Sequence, residues 1–158
     1  MFPKIRDVMT KNVITVDVDY TVKLTAKIMS RYGIGCALVQ ENKKVVGIVT
    51  ETDLLKKVIA VGIDPEKTFV REIMSKPLIV VEADAALEDA IKLMFQHKIK
   101  KLPVVEGPQE GAKLVGLVTL TDIARLQPHL IEKLKELFTQ SGETAPRNIE
   151  KVINFYIV

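Results

Sequence analysis

The sequence predicts an α+β protein built from two copies of one unit, each running strand, helix, strand, strand, helix. Three observations point there. The string Gly47-Ile48-Val49-Thr50-Glu51-Thr52-Asp53 returns as Gly116-Leu117-Val118-Thr119-Leu120-Thr121-Asp122. Residues upstream repeat in register: Val8-Met9-Thr10 answers Ile73-Met74-Ser75, a shift of 74 − 9 = 65. At that shift Lys11 meets Lys76, Val16 meets Val81, Asp19 meets Asp84, Met29 meets Met94, Ile34 meets Ile99 and Val39 meets Val104. Finally, each copy places short apolar runs around a segment of helical period. A period this long signals two subdomains rather than a solenoid.

The elements follow in order. Each copy opens on a short β segment, 13–16 and then 78–81. A helix comes next, with Asp19 or Asp84 as the expected cap. Its apolar face in the second copy is Leu87, Ala90, Ile91 and Met94, at i, i+3, i+4 and i+7. Two apolar strands follow, 37–39 with 45–49, then 103–105 with 114–118, joined by polar loops. The shift across the heptapeptides is 116 − 47 = 69, so the loop at 106–113 carries four extra residues. A second helix closes each copy, 53–61 and roughly 121–126, and the linker Gly62-Ile63-Asp64-Pro65 separates the copies. The expected domains are 5–62, 70–127, and a third segment, 128–158. That segment begins with an amphipathic helix carrying Leu130, Ile131, Leu134, Leu137 and Phe138 on one face. A loop at 140–147 follows, and 148–158 reads equally as helix or strand; its apolar character predicts docking on this chain or on a partner.

Composition bounds the function. The 158 residues, 47% hydrophobic, suffice for a core. No apolar run approaches the roughly 18 residues of a membrane span, and Asp7 interrupts the start before a signal-peptide core can form. A single cysteine, Cys36, excludes an internal disulfide and fits a reducing cytoplasm, so cytoplasmic localisation is expected. The net charge of +3 comes from interspersed charges, and with no Trp and 5% aromatics a base-stacking nucleic-acid platform is disfavoured.

The chemistry lies in the repeated turn. A strand ending in threonine and running into a helix points N–H groups and a hydroxyl above the sheet, and helix N-termini attract anions. A carboxylate with two free oxygens can accept both hydroxyls of a ribose. Thr-x-x-Asp equally fits a capping box, in which the same side chains satisfy the orphan N–H groups of the helix; the two roles can coexist. Other candidates have plain readings. Cys36 lacks a catalytic partner and reads as an inert thiol. His97 and His129 have no metal-ligand spacing. Met29 and Met94 read as core. Lys98, Lys100 and Lys101 read as a solvated strand edge or as phosphate contacts.

The duplicated Met-[Thr/Ser], amphipathic helix, Ile99-Lys100-Lys101-Leu102-Pro103-Val104-Val105 and Gly-h-Val-Thr-x-Thr-Asp resemble a tandem pair of CBS domains (cystathionine-β-synthase-type) over about residues 5–127. The resemblance implies two β-α-β-β-α repeats packed sheet to sheet with pseudo-twofold symmetry, and clefts that bind AMP, ADP, ATP or S-adenosylmethionine-type compounds. It implies that Asp53 and Asp122 hold ribose hydroxyls, and that Thr50 and Thr119 meet ribose or phosphate. Thr50 and Asp53 are expected to join Ile79, Ile99, Lys100 and Pro103; Thr119 and Asp122 are expected to join Ile14, Ile34, Gly35 and Cys36. The four isoleucines would sandwich adenine. This chain departs from the pattern in having Thr52 and Thr121 where many members carry a basic residue, Leu38 where the second copy has Pro103, and Lys98 where the first has Gly33.

The expected function is therefore a non-catalytic regulatory module that binds an adenosine compound and acts through a partner protein. No cofactor or metal is expected to be required, and homodimerisation is expected. The rival reading is a constitutive scaffold with vestigial sites; a nucleic-acid binder is the weaker third.

Overall fold

A computed structural model describes residues 3–76, 78–108 and 111–140. The expected loop and tail over 141–158 lie outside the described residues, as do the side chains of Ile131, Leu134, Leu137 and Phe138 on the predicted apolar face. The described chain is α+β, with two three-stranded sheets. Its elements are α1 (Ile5–Val8), β1 (Thr15–Asp17), α2 (Val22–Tyr32), β2 (Cys36–Glu41), β3 (Lys44–Thr50), α3 (Glu51–Leu54), β4 (Val81–Glu82), α4 (Leu87–His97), β5 (Lys101–Glu106), β6 (Lys113–Thr119), α5 (Leu120–Leu126) and α6 (Pro128–Gln140).

The packing units do not follow the contiguous repeats. One unit is Asn12–Ile79; the other joins Met1–Lys11 to Val80–Val158. The lead segment of each sequence repeat thus packs with the other repeat's sheet. In the unit Asn12–Ile79 the strand order is β1-β2-β3, with β1 parallel to β2 and β2 antiparallel to β3. The parallel step requires a crossover, and α2 provides it. The β2–β3 hairpin turns on Asn42 and Lys43, both at positive φ (49° and 65°). Positive φ at both central residues is what a two-residue I′ turn demands. The other unit repeats this arrangement with β4-β5-β6 and α4. Its longer hairpin loop bends instead at Gly107 and Gly111, φ 106° and 93°. Even the register shift recurs, after Val39 and after Val104.

Two sequence differences change local structure. The backbone N–H of Leu38 donates to the Ile14 carbonyl at 3.0 Å. Pro103, at Leu38's position, has no N–H to donate, and β4 is one residue shorter than β1. Both α2 and α4 end on a left-handed residue, Gly33 at φ 63° and Lys98 at φ 56°. Glycine adopts that conformation freely, whereas a lysine there stores roughly 1 kcal/mol of strain.

The expected aspartate caps are corrected. Thr21 caps α2, its hydroxyl accepting from the Leu24 N–H at 3.1 Å, and α4 starts after Ala86 with no side-chain cap. Asp19 and Asp84 sit two residues earlier and bind arginines of the lead segments. Arg71 donates to Asp19 at 2.6 Å, and Arg6 donates to Asp84 at 2.8 Å and to Glu106 at 2.5 Å. The core faces agree with the period: Leu87, Ala90, Ile91 and Met94 are buried, as are Val22, Thr25 and Met29 on α2. Thr25 is satisfied by donating to the Thr21 carbonyl at 3.0 Å.

The unpaired edges of β3 and β6 are covered by short straps. Ser75 exchanges two backbone hydrogen bonds with Ile48 (2.8 and 3.2 Å), and Thr10 does the same with Leu117 (2.8 and 2.9 Å). Both straps cross a glycine. A Cβ on Gly47 would lie 2.8 Å from the Met74 sulfur and 3.0 Å from the Ser75 carbonyl; one on Gly116 would lie 2.7 Å from the Met9 sulfur and 2.8 Å from the Thr10 carbonyl. The methionine can swing away, but the carbonyl cannot without losing the bridge.

Gly47→Ala and Gly116→Ala are each expected to destabilise the protein by about 1–3 kcal/mol, the range for overpacking a filled site, read as a lowered urea midpoint. A second expectation concerns acid. The hydrogen bond from Arg6 holds the Asp84 carboxyl below its ordinary value of 3.8. A carboxyl with a depressed folded-state pKa stabilises above its unfolded value, and the contribution fades as pH falls through the folded value. Arg6→Met is therefore expected to lower Tm at neutral pH, with the gap to the parent closing as pH drops below 3.8.

Candidate functional site

Each heptapeptide forms a strand end, a cap and a first helical turn. The helix starts earlier than predicted. Thr50 and Thr119 are the N-caps, and Asp53 and Asp122 are the third helical residues. Threonine suits the cap because it tolerates extended backbone and its hydroxyl reaches forward. The Asp53 N–H donates to Thr50 Oγ1 at 3.2 Å, and the Thr50 N–H donates back to Asp53 Oδ2 at 2.9 Å. In the other unit the matching distances are 3.0 Å (Asp122 N–H to Thr119 Oγ1) and 3.3 Å (Thr119 N–H to Asp122 Oδ2). The capping box is thus present in both units, and each box holds a carboxylate at the end of a strand.

The two carboxylates differ. Asp53 is buried, with 6% of its surface exposed, while Asp122 is half-buried. Asp53 Oδ2 also accepts from Thr50 Oγ1 at 3.2 Å. Its Oδ1 accepts from Ser75 Oγ at 3.0 Å and pairs with Lys57 Nζ at 2.9 Å. Neither Lys57 nor Ser75 was among the expected site residues. Lys57 has a signal in the sequence, the i,i+4 spacing of helix neighbours. Ser75 has none, because only the strap over Gly47 brings it to the turn. Beyond α3 the helix continues as a π-helical stretch, Leu55–Ile59, in which Lys57 lies. Its counterpart α5 is α-helical throughout.

The remaining expected residues fall as follows. In the unit Asn12–Ile79, the Gly35 carbonyl accepts the Glu51 N–H at 3.1 Å, and Cys36 pairs in register with Thr50. In the other unit, the Lys100 carbonyl accepts the Leu120 N–H at 2.8 Å, and Lys101 pairs with Thr119. Each unit therefore brings the start of its own central strand beside its own Thr-x-x-Asp. Ile14, Ile34, Ile79 and Ile99 are all half-buried and leave apolar surface open; Cys36 and Pro103 are buried, and Lys100 is exposed. His97 and His129 are exposed, and no group of three or more potential metal ligands occurs among the described residues.

A family model described as CBS domain matches residues 5–60 and 70–129. The chain is 37% identical over 131 residues to an uncharacterized protein of Methanopyrus kandleri, covering 82% of this chain and 65% of that protein's length. It is 36% identical over 120 residues to the CBS domain-containing protein YhcV of Bacillus subtilis, covering 76% of this chain and 82% of that one. Among solved structures, the CBS domain pair of protein MJ0100 in complex with 5′-methylthioadenosine and S-adenosyl-L-methionine superposes with a TM-score of 0.70 at 27% identity, covering 82% of this chain and 98% of that chain. With the duplicated turn in both units and the family match across both repeats, the chain belongs to the CBS-domain family, as a tandem pair of CBS domains.

Proposed function

We propose that this chain is a regulatory module that binds adenosine compounds and passes the signal to a partner protein. The observation that carries the reading is the repeated capping box, which fixes a carboxylate at the same place in both units. A carboxylate held by its own backbone keeps its orientation and can accept a vicinal diol. Ile14, Ile34, Ile79 and Ile99, each half-buried, offer apolar surface for a purine ring. The protein MJ0100 pair is described with two adenosine compounds, which supports the same ligand class here. The ligand residues we assign are, in the unit Asn12–Ile79, Ile14, Ile34, Gly35, Cys36, Thr50, Asp53 and Ile79, and in the other unit Ile99, Lys100, Pro103, Thr119 and Asp122. The sites of a constitutive scaffold would bind nothing, and a nucleic-acid binder would respond to duplex rather than nucleotide.

Calorimetry with AMP, ATP and S-adenosylmethionine, beside a short DNA duplex, distinguishes these. Saturable binding of at least one adenosine compound is expected, and no comparable response to the duplex. Asp122→Ala is expected to weaken binding tenfold or more, since a hydrogen bond to a charged group contributes about 1.5–3 kcal/mol. Folding is expected to survive, because losing the cap contact costs only ~1 kcal/mol. Unchanged affinity in that variant would remove Asp122 from the site.

Self-association belongs to the same reading. Leu55 and Ile59 are 61% and 70% exposed, and Leu126 on α5 is exposed as well. Apolar side chains at such spacing on second helices fit a helix-mediated homodimer. Light scattering at micromolar concentration is expected to give twice the 17.6 kDa chain mass; a monomer would contradict it.

A further inference from the structure

We propose that Lys57 is a built-in competitor for the Asp53 carboxylate, so that ligand fills the Asp122 turn first and reaches Asp53 only by displacing Lys57. The proposal rests on the adenosine reading above and concerns how its two carboxylates are ranked.

An ionised carboxylate offers about four acceptor positions. At Asp53 four donors already occupy them: the Thr50 N–H at 2.9 Å and Thr50 Oγ1 at 3.2 Å on Oδ2, and Ser75 Oγ at 3.0 Å and Lys57 Nζ at 2.9 Å on Oδ1. Lys57 is held in turn. Its ammonium has three protons, and three acceptors lie in reach: Asp53 Oδ1, the Ile73 carbonyl at 2.8 Å and Ser75 Oγ at 3.5 Å. The pair is partly withdrawn from water, with the Asp53 side chain 8% and the Lys57 side chain 43% exposed. A diol docking on Asp53 needs two acceptor positions, so two of these four donors must give way; Lys57 and Ser75, both on Oδ1, are the pair whose loss leaves the bonds to Thr50 intact.

The Asp122 turn differs at both of these positions. At the shift of 69 the residue matching Lys57 is Leu126, and at the shift of 65 the residue matching Ser75 is Thr10. Leucine carries no donor, so no ammonium reaches Asp122 from that position. Asp122 is also half-buried where Asp53 is buried, and it accepts the Thr119 N–H at a longer 3.3 Å. Lys57 and Ser75 both touch Asp53 and both belong to or contact the strap over β3, so displacement at Asp53 alters bonds made by that strap.

The test is AMP titration by calorimetry of the parent chain, Asp53→Asn, Asp122→Asn and Lys57→Leu, the last copying the residue α5 already carries. Lys57→Gln, which keeps reach without charge, serves if the leucine variant does not fold. The parent is expected to show two events separated by about tenfold or more in affinity, as loss of one charge-assisted contact implies. Asp122→Asn should remove the tighter event and Asp53→Asn the weaker. Lys57→Leu should strengthen the weaker event roughly tenfold and leave the tighter one in place. Equal affinities in the parent, or a weaker event untouched by both Lys57 variants, would overturn the proposal while leaving the adenosine reading intact. No binding of AMP, ATP or S-adenosylmethionine by any variant would overturn both.

Discussion

In each unit a strap of backbone lies against an edge strand at a glycine, and much else depends on that approach. The strap closes the open edge of a three-stranded sheet, which would otherwise present unpaired N–H and C=O groups. It seats a methionine sulfur within 2.8 Å of where a Cβ would stand on Gly47 and within 2.7 Å on Gly116. It also delivers Ser75 to the Asp53 carboxylate, joining the edge of the sheet to the turn that ends it. Because the strap over Gly47 comes from the start of the second sequence repeat and the strap over Gly116 from the start of the first, neither sheet is complete within its own repeat. The arginines follow the same exchange, with Arg71 on Asp19 and Arg6 on Asp84.

In the repeated turn one set of side chains both caps a helix and orients a carboxylate. The capping box satisfies the first N–H groups of a short helix whose isolated stability would be marginal. The same reciprocal bonds orient the aspartate. In one unit the orientation serves a further ion pair, since Lys57 lies one helical turn on and the strap supplies a carbonyl and a hydroxyl to hold its other protons. In the other unit Leu126 stands at the position of Lys57, and leucine offers no ammonium there. The same Thr-x-Thr-Asp turn therefore sits in two different surroundings. The residues that separate them lie outside the motif.

The repeat also tolerates local mismatches where backbone chemistry permits. A left-handed helix end accepts Lys98 in place of Gly33 at a modest strain. A central strand accepts Pro103 in place of Leu38 where one bond to the neighbouring strand is given up. The longer hairpin of the second copy replaces Asn42 and Lys43 with two glycines at positive φ. Each change is confined to a turn, an end or an edge, while buried faces such as Leu87, Ala90, Ile91 and Met94 keep their period.

By itself the sequence determined the duplicated strand and helix pattern, the buried face of α4, the burial of Met29 and Met94, and the Thr-x-x-Asp turns. These are readable because they rest on local periodicity and on bonds between residues three or four apart. Helix starts were less legible: Asp19 and Asp84 look like caps, but their carboxylates are drawn to arginines 52 and 78 residues away. Only the tertiary structure decided which lead segment completes which sheet, since either strap carries the same Met-[Thr/Ser] signature and local pattern holds no record of its partner. It likewise decided that Asp53 is occupied and buried while Asp122 is more open. That difference arises where a strap distant in sequence meets a helix face, and no spacing along the chain expresses such a meeting.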